Sequence, residues 1–118
     1  MEKQILIIDD DPVILRLMRS YLQDEYKVNI VNSGKSAIRF LEKFKPDIIL
    51  LDYLMPEDDG PATLRMIREH EGCADIPVIF MTGLIDQELK DQCADLHPYA
   101  YLQKPVKQQK MLDILRSI

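Results

Sequence analysis

Short apolar runs recur along the chain at near-even spacing: QILIID (4–9), KVNIV (27–31), DIILLD (47–52), IPVIFMT (76–82) and AYLQ (100–103). Three of them are apolar throughout instead of alternating with polar residues. Strands covered on both faces read this way, as in a parallel sheet. Helical patterns fill the intervals. Asp11 is placed to cap a helix with Pro12 at its first position. Ile14, Leu17, Met18 and Tyr21 then share one face, with Leu15 and Leu22 beside it. Ser33 caps a second helix with Ala37, Leu41 and Phe44 on its stripe. KPD at 45–47 ends it, because the residue before Pro46 is pushed out of the helical region. Pro61 opens a third helix with Leu64 and Ile67 inward, closed by EG at 71–72. A fourth, about 86–95, is mostly polar, with Leu89, Cys93 and Leu96 as a thin apolar stripe. A fifth runs from about 107 to the end, with Met111, Leu112, Leu115 and Ile118 inward. Five strand–helix repeats predict an α/β fold: a doubly wound parallel sheet, right-handed crossovers and helices on both faces.

Composition narrows the class without changing that picture. The 118 residues fit one domain and are long enough to bury a core without disulfides or metals to staple it. No apolar run approaches the ~20 residues of a membrane span, so no membrane insertion is expected. The N-terminal MEKQILII does not read as a signal peptide, since its short apolar run ends in aspartates. Cys73 and Cys93 lie too far apart for a CxxC motif and are expected to be reduced cytosolic thiols, which places the chain in the cytoplasm. The net charge of −5 argues against direct nucleic-acid binding, which needs a basic face. The locally basic KPVKQQK lacks interleaved aromatics and reads as a solvated helix start.

In a doubly wound sheet the site lies at the carboxyl ends of the strands, and here those ends carry the chemistry. The first strand runs into Asp9, Asp10 and Asp11; the third ends in Asp52, the fourth in Thr82 followed by Gly83, and the fifth meets Lys104 and Pro105. Asp11 reads as a helix cap. Asp9, Asp10 and Asp52 converge, and ionising three adjacent carboxylates is costly unless a cation sits among them. Oxygen ligands of this kind suit Mg²⁺, while Lys104 offsets part of the charge. A carboxylate beside Mg²⁺ and a lysine can attack phosphorus and form an aspartyl-phosphate, with the metal, the lysine and the Thr82 hydroxyl neutralising the phosphoryl oxygens.

The motifs DDDP, LLDYLMP…DG, PVIFMTG and YLQKP, in this order over essentially the whole chain, resemble a response-regulator receiver domain. The resemblance implies a flavodoxin-like five-stranded sheet of order 2-1-3-4-5 flanked by five helices, forming a single domain over residues 1–118. It implies Asp52 as phosphoacceptor. The Mg²⁺ ligands would be Asp10 directly, Asp9 mainly through water, Asp52 and the backbone carbonyl of Leu54. Lys104 would bind the phosphoryl group, and the Lys104–Pro105 bond would be cis. Thr82 and Tyr101 resemble the switch pair. The implied partners are a histidine kinase or phosphotransfer protein as donor and a downstream effector or output domain as receiver of the signal. The output would run through the face of the fourth helix, fifth strand and fifth helix, and homodimerisation on phosphorylation is one form it takes. Such a domain assists its own phosphorylation and dephosphorylation but is not an enzyme toward other substrates.

Two departures from the family pattern stand out. His97 and Pro98 replace a common Gly-Ala before the fifth strand, which is expected to alter how the fourth helix ends. Leu54 and Leu84 occupy positions that in the family tune autodephosphorylation, and apolar residues there are expected to hinder the attacking water and alter the phosphoryl lifetime. Asp58 and Asp59 are expected to form a polar turn before Gly60. The rival readings are weaker. A Mg²⁺-dependent phosphatase or phosphotransferase lacks any inserted cap for a small substrate. A flavodoxin-type binder lacks a Ser/Thr/Gly-rich phosphate loop, and no GxGxxG occurs. An unphosphorylated scaffold has no need of the full Asp52, Thr82 and Lys104 set.

Overall fold

The computed structural model describes residues 2–56 and 59–118. Five strands, β1 (Lys3–Ile8), β2 (Tyr26–Val31), β3 (Ile48–Asp52), β4 (Val78–Thr82) and β5 (Ala100–Gln103), alternate with α1 (Pro12–Leu22), α2 (Gly34–Lys43), α3 (Gly60–Glu69), α4 (Gln87–Cys93) and α5 (Gln108–Arg116). A short 3-10 turn, Ala94–Leu96, continues α4. All strand pairs are parallel, in the order β2-β1-β3-β4-β5. Among the described residues no helix is long and apolar enough to cross a membrane.

The continuous apolar runs are explained by two cores, one on each face of the sheet. Leu6, Ile8, Ile49, Leu51 and Phe80 pack with Ala37 and Leu41 of α2, Leu64 and Ile67 of α3 and Cys93 of α4. Ile5, Ile7, Ile48, Leu50 and Met81 pack on the opposite face with Leu15, Met18 and Leu22 of α1 and Met111, Leu112 and Leu115 of α5. Successive residues of a strand point to opposite faces, so a strand with helices on both sides leaves no polar position. Cys73 and Cys93 are free and buried.

The caps hold where the side chains allow them. Asp11 accepts from the Val13 amide at 2.9 Å and Ser33 from the Ser36 amide at 3.1 Å. Asp59 is itself the cap of α3, accepting from the Ala62 amide at 2.7 Å, rather than part of a separate polar turn; Asp58 lies outside the described residues. In α1 the buried side is Leu15, Met18 and Leu22, and Leu17 is 41% exposed. Both stripes satisfy helical spacing, and the one facing the sheet wins. Phe44 leaves the α2 stripe and is 56% exposed, because the chain is already extended at that residue; its ring meets Phe40 at 5.3 Å. Likewise α3 stops at Glu69, with Gly72 beyond it at φ +80. His97 closes the turn after α4 in the left-handed region, φ 52. Pro98 disfavours right-handed helical geometry at the residue before it.

Candidate functional site

The sheet register brings the chemistry to one edge. Ile8 pairs with Leu51, Asp52 with Met81 and Thr82 with Gln103, so the residues just past these ends form one cluster. The Asp9 amide donates to Val31 O at 3.3 Å and the Lys104 amide to Thr82 O at 2.7 Å, which ties each loop to its neighbouring strand. Tyr53, directly after Asp52, donates its amide to Met81 O at 2.9 Å, and its carbonyl accepts from the Gly60 amide at 2.8 Å. Gly60 is required there by close approach: a Cβ would stand 2.7 Å from Tyr53 Cα, 2.8 Å from Asp52 O and 2.9 Å from the Phe80 ring.

Within the cluster, Asp9 and Asp52 are buried and Asp10 is exposed. One carboxylate oxygen from each of the three lies within 4.8 Å of the others. Lys104 Nζ donates to Asp52 at 2.8 Å and to Asp9 at 3.3 Å. The peptide bond from Lys104 to Pro105 is cis, as the resemblance implies. One ammonium faces three carboxylates, and the electrostatics register the deficit. Burial pushes the Asp9 carboxyl up to about 6; the Asp11 amide pulls it down, Asp52 raises it further, and Lys104 lowers it. A carboxylate beside a lysine ordinarily titrates low; here the loss of water outweighs the partner. Burial also opposes the charge on Lys104, but its bonds to Asp52 and Asp9 outweigh that and hold the ammonium above its ordinary value. The donor set fits a hard divalent cation: oxygen atoms only, excess negative charge, and one exposed ligand for entry.

Thr82 ends β4, and Tyr101 lies on β5 opposite Phe80. The Thr82 hydroxyl is turned into its own loop, donating to Leu84 O at 3.2 Å and accepting from the Leu84 amide at 3.4 Å. The Tyr101 ring lies over Phe80, centroids 5.9 Å apart and nearly parallel. Leu54 and Leu84 are 73% and 63% exposed and line one groove of about 400 Å³ together with Tyr53 and Thr82.

Three carboxylates and a lysine thus converge at the carboxyl edge of a five-stranded parallel sheet. The sequence profile of the response regulator receiver domain matches residues 5–116. The chain belongs to the response-regulator receiver family. It is 35% identical over 102 residues to a probable cyclic di-GMP phosphodiesterase of Vibrio cholerae, a match covering 86% of this chain and 23% of that protein. Its fold is that of the V. cholerae chemotaxis protein CheY4, with a TM-score of 0.96 at 24% identity over 100% of this chain and 99% of that one. The receiver domain of sensor histidine kinase PA1611 from Pseudomonas aeruginosa, 30% identical, superposes with a TM-score of 0.88 over 99% of this chain and 97% of that one; that structure holds a magnesium ion in its active-site cleft. The chain spans 23%, 57% and 54% of the length of three curated relatives, the V. cholerae phosphodiesterase and the probable transcriptional regulators ycf29 of Porphyra purpurea and Pyropia yezoensis. Receiver domains are switches of two-component signalling and interact with histidine kinases and output domains.

Three features of this receiver had no clear signal in the sequence. Gly60 reads as a helix start, and only the packing shows the clash that demands it. Arg68 on α3 donates to Leu96 O at 2.8 Å, Ile76 O at 2.7 Å and His97 O at 3.1 Å, joining three loop carbonyls that sequence leaves unrelated. Tyr53 reaches α4 through its hydroxyl, 3.1 Å from Gln92 Oε1; its place beside Asp52 was the only hint.

Proposed function

We propose that residues 1–118 act as one receiver unit that takes a phosphoryl group onto Asp52. The observation that carries this is the Lys104 ammonium held between Asp52 and Asp9 at 2.8 and 3.3 Å, beside a third carboxylate. Asp52 attacks the phosphorus of a phosphohistidine on a histidine kinase or phosphotransfer protein. The new bond joins a carboxylate oxygen to phosphorus, the phosphorus–nitrogen bond breaks, and the imidazole leaves with that electron pair. Asp9, Asp10, Asp52 and the Leu54 carbonyl would hold Mg²⁺, which when bound offsets charge on the phosphoryl oxygens. Lys104 exchanges part of its contact with Asp52 for a phosphoryl oxygen. Thr82 releases Leu84 and donates its hydroxyl to another, and Tyr101 follows inward.

Phosphorylation then shifts a two-state equilibrium by the difference in contacts that the two states make. The readout face is α4, β5 and α5, where a groove of about 550 Å³ is lined by Tyr101, Lys104, Lys107, Lys110 and Ile114. Its occupant is an effector or output domain, or a second copy of this chain after phosphorylation. The domain works in the cytoplasm and turns over no substrate besides its own acyl phosphate.

The test is intact mass after incubation with acetyl phosphate and Mg²⁺. Gain of one phosphoryl group is expected, lost in Asp52→Asn and in chelator. No gain under any of these conditions overturns the proposal.

A further inference from the structure

The rearrangement at Asp52 has to reach α4, and the short helix is lightly held. Its seven residues bury only Leu89 and Cys93. One anchor is Arg68, whose guanidinium bonds the carbonyls of Leu96 and His97 just past its end. The other is Tyr53. Its backbone is fixed to β4 through Met81 O and to the start of α3 through the Gly60 amide, so movement of the loop that follows Asp52 must carry it. Its ring meets Phe80 edge-on at 5.3 Å, and Phe80 stacks on Tyr101 at 5.9 Å. Its hydroxyl bonds Gln92 at 3.1 Å. Burial pushes that phenol up to about 12, so it stays a neutral donor across the physiological range.

From this geometry we infer that Tyr53 and Gln92 are positioning residues that transmit the state of Asp52 to α4, through the loop after Asp52 in addition to the Thr82 hydroxyl. The inference rests on Asp52 being the phosphoacceptor. A single hydrogen bond is a large share of what orients a helix with two buried side chains, because its net worth is comparable to partial burial of one of them. The row Tyr53, Phe80 and Tyr101 means that the same ring also senses the inward turn of Tyr101. Both movements therefore converge on the last turn of α4.

The experiment is amide hydrogen exchange of residues 87–93 in the intact chain, free and with beryllium fluoride plus Mg²⁺. It compares wild type with Tyr53→Phe, Gln92→Leu and the double variant. Each single variant is expected to exchange about threefold faster in the free state, the factor for one partly exposed hydrogen bond. The double variant is expected to match the singles, and the change caused by beryllium fluoride should shrink by at least half on a logarithmic scale. Exchange in α2 should stay at the wild-type rate, which separates a local effect from general loosening. Wild-type rates in both singles, or effects that multiply in the double variant, would overturn the inference. Absence of phosphoryl gain in the wild-type mass experiment would instead overturn the assignment of Asp52.

Discussion

Asp9 and Asp11 stand two residues apart in one run of aspartates and do opposite work. Asp11 is solvated and spends its charge on the first turn of α1, accepting from the Val13 amide. Asp9 is buried, accepts from the Asp11 amide at 3.0 Å and faces Lys104. Identical side chains thus divide by burial and not by spacing. Leu54 and Leu84 make the converse point. They are large, apolar and 73% and 63% exposed at the mouth of the site, where no packing rewards them. Their expected effect is to slow the approach of hydrolytic water to the acyl phosphate. The Leu54→Asn, Leu84→Glu double variant should lose radiolabelled phosphate several-fold faster than wild type; equal rates would remove the leucines from any role in lifetime.

Among the elements, helix faces show where periodicity runs out. Helix α1 offers two stripes at acceptable spacing, and the sheet accepts Leu15, Met18 and Leu22. The fourth helix ends early in a 3-10 turn with His97 left-handed, where Pro98 blocks continuation. The start of α3 is a tight join, because Gly60 packs directly on Asp52 O and Tyr53 Cα. Both are backbone atoms that cannot rotate away. Gly60→Ala is therefore expected to destabilise by about 1–3 kcal/mol through overpacking, and to lower the phosphorylation rate by displacing Asp52. Urea denaturation and the time course of mass gain would measure the two effects; unchanged values for both would mean that the loop yields freely.

For the whole molecule, the acidic site is a cost that folding has to meet. The Asp9 carboxyl is raised from 3.8 to about 6, so the folded chain holds that proton more tightly than the unfolded chain. Above about pH 6 the group is ionised in both states and its burial opposes folding; below about pH 4 it is protonated in both and the cost disappears. Without metal, Asp9→Asn should be more stable than wild type near about pH 7.5, by on the order of 1–3 kcal/mol. The gap should close as pH falls from about 6 to about 4. Urea midpoints in chelator across that range would show it; a less stable variant at high pH would mean that the Lys104 pair outweighs desolvation.

The sequence by itself determined the five strand–helix units, the doubly wound sheet, and the gathering of Asp9, Asp10, Asp52, Thr82 and Lys104 at its carboxyl edge. Strand runs and caps are local signals, and parallel topology sends every strand end to the same side. What only the tertiary structure decided is which of two stripes on α1 turns inward, why residue 60 is glycine, and that Arg68 and Tyr53 hold α4 from two directions. Those outcomes depend on contacts between residues far apart in the chain, whose distances no local pattern of polarity encodes.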